Sequence, residues 1–119
     1  RRMSHRVENI DDHYSGDALN LNVGVVDGDG NNKDVSGASA IEYEVWEQTS
    51  GSTVFTKTLS GGGIDLSYGQ NHEFQIQIDP ADTENLAGSY KHECELTDGA
   101  GNPSTIFVGK FRIKADQIE

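Results

Sequence analysis

The run Asp27-Gly28-Asp29-Gly30-Asn31-Asn32-Lys33-Asp34 puts side-chain oxygens at its first, third and fifth positions, the spacing by which calcium loops gather ligands. It then departs from that pattern. A calcium loop starting at Asp27 needs glycine at 32 and a bidentate glutamate at 38, and the chain has Asn32 and Ala38 there. The same residue types make polar hairpin turns, because short oxygen-bearing side chains cap nearby backbone N–H groups and glycine accepts positive φ. Asp98-Gly99 with Asn102 repeats the chemistry at a second turn, so both runs are read as turns and no metal site is assigned.

Histidines are the next candidates. His13 follows Asp11 and Asp12, which would allow a weak surface metal contact, but no helical i, i+3 or i, i+4 frame organises these ligands or His5. A solvated acidic stretch is expected instead. His92 and Cys94 share one face of a predicted strand, where alternate side chains stand about 7 Å apart. That is too far for a preformed thiolate pair, and both are read as core residues. Glu42 with Glu44, and Glu93 with Glu95, fall on outer strand faces with nothing to raise a carboxyl pKa. The chain has no G-x-S-x-G, no phosphate loop and no H-E-x-x-H, and Gly61 to Gly63 lack the helix and lysine of a nucleotide site. The expectation is a protein without enzymatic activity and without a cofactor. Trp46, opposite in phase to Ile41, Tyr43 and Val45, is a sugar platform, an interface anchor or the covered second face of a central strand.

The elements that position these residues follow from composition and period. With 119 residues the chain is long enough for one domain. Twenty acidic against nine basic residues leave a net charge of −11, which argues against nucleic acid and against anionic membranes as partners. No apolar run approaches the roughly 20 residues of a membrane span, and residues 7 to 18 supply no apolar core for an export signal behind Arg1, Arg2 and Arg6. One cysteine excludes an internal disulfide. Leu, Ile, Val and Phe number 26, enough for a thin core built from short elements rather than for a helical bundle.

Apolar and polar residues alternate over 17 to 26, 41 to 46, 54 to 59, 64 to 66, 72 to 78, 90 to 96 and 107 to 114, each bounded by Gly, Asp or Asn turns. Between Ile78 and Tyr90, Asp79 is placed to cap a short helical corner over 80 to 86 that starts with Pro80, with Gly88 beyond its end at positive φ. Tyr90 follows where a tyrosine corner would stand. The pattern predicts an all-β, immunoglobulin-like antiparallel sandwich of about seven strands over residues 17 to 115, with a tail at 116 to 119. Residues 1 to 16 show neither period and are read as an extended arm.

The stretch from Phe74 to Ala115 resembles small immunoglobulin-like proteins of tailed bacteriophage particles, in particular the amino-terminal domain of baseplate upper proteins. The resemblance rests on Asp79 to Thr83, Leu86 to Tyr90, Thr97 to Asn102, Thr105, Gly109, Phe111 and Ile113, and more loosely on Gly16-Asp17, Leu19, Leu21, Asp27 to Asn31 and Val35 to Ala38. It implies a virion protein present in many copies, possessing capsid or tail proteins as partners and forming a homo-oligomer in one variant of this reading. A baseplate upper protein continues into further regions, so a chain ending at Glu119 is expected to decorate a capsid or to serve a neck, tail or baseplate as an accessory. Adhesion or carbohydrate binding through Trp46, Tyr43 or Tyr68 is the alternative. The concentration of Arg1, Arg2 and Arg6 on an unpatterned segment assigns the arm as the attachment element.

Overall fold

A computed structural model describes residues 6–115 of the chain. Among these residues, nine strands and one short helix run in the order β1 (Arg6–Val7), β2 (Ile10–Tyr14), β3 (Leu19–Gly24), β4 (Ala40–Glu47), β5 (Thr53–Thr58), β6 (Ile64–Asp65), β7 (Glu73–Ile78), α1 (Pro80–Thr83), β8 (Gly88–Thr97) and β9 (Pro103–Lys114). They form two sheets. The larger has the order β1-β9-β8-β4-β5, with β2 also on β9, and the smaller has the order β3-β7-β6.

The alternating segments become strands because each has one face to bury. In β4, Ile41, Tyr43 and Val45 are buried while Glu42 is exposed, and in β8 the buried set is Tyr90, His92, Cys94 and Leu96. β3 and β7 pair antiparallel with Leu19 opposite Ile78 and Val23 opposite Phe74, which brings both apolar faces to the same side. The core lies between these faces, with Tyr43, Phe74, Phe111, Ile76 and Ile78 among its fully enclosed side chains. Pairing of β3 with β7 in one sheet and of β4, β8 and β9 in the other is the immunoglobulin-like arrangement, and β5 extends the second sheet beyond β4. The chain is an all-β immunoglobulin-like sandwich.

The corner between the sheets differs from its expected form in two details. The helix is a single turn, Pro80–Thr83, and Asn85 rather than Gly88 supplies the left-handed residue behind it, at φ 66°. Asn tolerates that conformation, so the turn closes early. Gly88 does adopt positive φ, 125°, but as the first residue of β8. Asp79 occupies the cap position in extended conformation, and its N–H donates to the Asp82 carboxylate at 2.7 Å. Burial works against the Lys57 ammonium, yet its bonds and charge attraction to Asp82 at 2.7 Å and Asp79 at 3.2 Å outweigh it and raise its pKa. The pair ties the corner to β5. Tyr90 is buried and its hydroxyl donates to the Ala87 carbonyl at 3.2 Å, a tyrosine-corner contact.

The larger departure is the segment read as an arm. From Arg6 onward it is built into the sheet: β1 and β2 pair parallel with β9, Arg6 opposite Phe107 and Ile10 opposite Phe111. These two strands raise the count from about seven to nine. The register shifts between Ile10 and His13, so the inward residues are three apart and period two is lost. The inward positions are also filled by polar types. His13 is buried with its ring edge-on to Phe111 at 5.5 Å, and Ser15, two residues on, is buried as well. Residues 1 to 5, which include Arg1 and Arg2, and the tail at 116 to 119 lie outside the described residues.

Candidate functional site

Several of the side chains singled out in the sequence have structural partners. Asp27 Oδ1 accepts the N–H groups of Asp29 at 2.9 Å and Asn31 at 3.1 Å, and Gly30 takes φ 87° to close that turn. Asp98 Oδ1 does the same for Ala100 and Asn102, each at 2.9 Å, and the bond from Asn102 holds its carboxyl below the usual range. Both runs therefore use their first carboxylate as a turn cap. Cys94 is completely buried.

His92 forms the centre of a buried polar chain. Its Nε2 lies 2.6 Å from the Glu8 carbonyl oxygen, which can only accept, so Nε2 carries the proton and donates. Nδ1 is then an acceptor, and the Tyr43 hydroxyl donates to it at 2.8 Å. Burial pushes the His92 pKa down, against an upward pull from the Glu8 carbonyl and charge. Burial also raises the Tyr43 pKa well above its ordinary value. The chain of bonds is thus neutral throughout, and it bolts the β1–β2 junction to β8 and β4. Gly109 makes the junction possible: a Cβ there would stand 1.8 Å from the Glu8 oxygen. Beside it, Glu8 N–H donates to Val108 O at 2.9 Å, and Asn9 Oδ1 accepts from Lys110 N–H at 2.9 Å. These groups hold the β1–β2 junction in place.

The outer face of the larger sheet is different. Trp46 is half-buried there, on the row it shares with Lys91 and Lys110 across β4, β8 and β9. The next row carries Glu44, Glu93, Val108 and Val7. A groove of about 390 Å³ runs between Trp46 and the β1–β2 junction, and Val7 on its rim is 64% exposed. An exposed valine, a half-buried valine and a half-buried indole thus line one groove on this face. Glu44 is turned away from it by a hydrogen bond from the Thr53 hydroxyl.

Among the described residues, Trp46 is the predicted site residue that lines this groove. Arg6 opens β1, Asp79, Pro80, Gly88 and Tyr90 build the corner, Tyr43 is wholly buried, and Tyr68 is 41% exposed in the loop after β6. Sequence reasoning missed Val7 and Asn9, because the segment that bears them has no period. It also passed over Lys91 and Lys110, whose outward phase was visible but whose cross-strand opposition was not.

No family model matches the chain, and no curated protein matches it. Solved structures similar to it include the fibronectin(III)-like modules of Clostridium thermocellum CbhA, at TM-score 0.49 and 11% identity over 93% of this chain and 92% of that one. CopC from Methylosinus trichosporium OB3b gives TM-score 0.49 and 15% identity over 92% and 88%. Murine CRIg gives 0.44 and 11% over 98% and 96%. At such identities the likeness concerns the course of the chain, and the strand pairing above establishes the sandwich independently.

Proposed function

We propose that this chain is a non-enzymatic contact module that attaches through the outer face of its larger sheet to a partner in a phage-like particle, in several copies. The observation that carries the contact reading is the groove of Trp46, Val7 and Val108, open on a sheet whose other face is the core. The placement in a virion, on capsid, neck, tail or baseplate, is supported by the resemblance of the segment Phe74 to Ala115 to virion proteins. The acidic surface favours protein or saccharide partners over nucleic acid and membrane. Attachment by a tether of residues 1 to 16 is set aside, since the chain from Arg6 onward is part of the sheet.

Mass spectrometry of purified particles tests the placement, and absence of the protein from them overturns it. Particles assembled with Trp46→Ala should carry several-fold less of the module, and unchanged occupancy would move the contact to another face. A carbohydrate-binding reading is favoured by the same groove, because an indole beside polar side chains suits the C–H face of a sugar.

A further inference from the structure

The groove beside Trp46 carries a charge that the rest of the molecule does not prepare for. Lys91 and Lys110 stand directly opposite each other on β8 and β9, an arrangement of like charges that is unfavourable across a strand pair. Among the described residues neither has an ion-pair partner, whereas Lys57 and Lys114 are paired with Asp79, Asp82 and Asp12. On a chain of net charge −11, two opposed cations without a carboxylate partner, next to a half-buried indole, form a local site for an anion.

The remaining groups narrow the chemistry. Glu93, one row along on the floor, offers carboxylate oxygens that can accept hydrogen bonds, and the Asn9 amide NH₂ can donate, its oxygen being taken by Lys110 N–H. A flat aromatic wall, a carboxylate acceptor, an amide donor and two ammonium groups fit a pyranose that presents a C–H face, hydroxyls and one carboxylate. An acidic peptide would use the cations but its aliphatic carboxylate side chains offer the indole no ring face to stack on. Trp46 and Val7 stand three strand spacings apart, roughly 14 Å, which is room for about two sugar rings. We infer that this groove binds an acidic saccharide, with Trp46 stacking on a ring and Lys91 and Lys110 holding the carboxylate.

The inference rests on the outer face being a contact surface. It is tested by titrating the intact protein with digalacturonate and with neutral galactobiose, following backbone amide shifts. Digalacturonate should shift the amides around Trp46, Lys91, Val108 and Lys110 and bind at least tenfold more tightly than galactobiose at low salt. The Lys91→Gln, Lys110→Gln double variant, altered only at exposed positions, should lose that preference while keeping its fold. Trp46→Phe should retain part of the binding and Trp46→Ala should lose it. Equal binding of both disaccharides, shifts located elsewhere, or no shifts at all overturn the saccharide inference. If the saccharide fails while Trp46→Ala still empties particles of the module, the contact reading stands and only its ligand is wrong.

Discussion

Gly109→Ala is the sharpest perturbation the fold offers, because one added carbon is aimed at one bond. The new Cβ would lie 1.8 Å from the Glu8 carbonyl oxygen and 2.6 Å from its carbon, and ordinary contact needs roughly 3.5 Å, so the Glu8 peptide must retreat by more than 1 Å. That carbonyl now accepts from His92 Nε2–H at 2.6 Å, and the retreat takes it out of range. Losing the bond leaves a buried N–H unsatisfied, which costs about 1 to 3 kcal/mol. The neighbouring bonds from Glu8 N–H to Val108 and from Lys110 N–H to Asn9 are strained together, for about another 1 kcal/mol. A total of roughly 2 to 4 kcal/mol should lower the melting temperature by roughly 8 to 20 °C. Thermal unfolding followed by circular dichroism measures the loss, and amide hydrogen exchange locates it, with β1 and β2 losing protection before β3, β7 and β8. Gly28→Ala, whose Cβ meets nothing within 4 Å, should leave both measurements alone. A Gly109→Ala protein that melts within about 2 °C of the parent, with β1 and β2 still protected, would refute the latch.

Acid should open the same region. The pKa values of His92 and His13 are both held below 6.5, chiefly by burial, so the folded state prefers them neutral. Their contribution to stability is whole above pH 6.5 and is lost as the pH falls through the lower folded-state values, at up to about 1.4 kcal/mol per pH unit for each. Urea titrations at pH 7.5 and 5.5 check the sign, and His92→Phe with His13→Phe should flatten the dependence. At the corner, Tyr90→Phe should cost about 1 kcal/mol for its bond to Ala87. Gly88→Val should cost about 1 to 3 kcal/mol through backbone strain alone, since a side chain there meets no neighbour. Equal urea midpoints for parent and variants would mean the corner is not under tension. Removing residues 1 to 16 should abolish cooperative unfolding, because it strips the edge of β9 and removes the acceptor of His92; a truncated chain with the parental midpoint would show β1 and β2 to be dispensable.

The sequence by itself determined the elements whose residues alternate strictly and are bounded by strong turn chemistry. The seven strands from Leu19 to Lys114, the inward set of Tyr43, Phe74, His92, Cys94 and Phe111, and the corner at Asp79, Pro80 and Tyr90 all followed from period two and from the fixed φ of proline. The two polar runs at Asp27 and Asp98 were also legible, because a cap on a backbone N–H two or four residues away is a local event. Tertiary structure alone decided the rest. Ile10 and His13 point inward three residues apart because of a register shift against β9, and no local pattern encodes a partner strand a hundred residues away. Gly109 read as an ordinary inward position of β9, yet its lack of a side chain is what admits the Glu8 carbonyl. Trp46 was visible as an outward aromatic. That Val7 closes its groove and that Lys91 faces Lys110 across it depends on which strands lie side by side, and pairing is fixed by burial of the whole core rather than by any one segment.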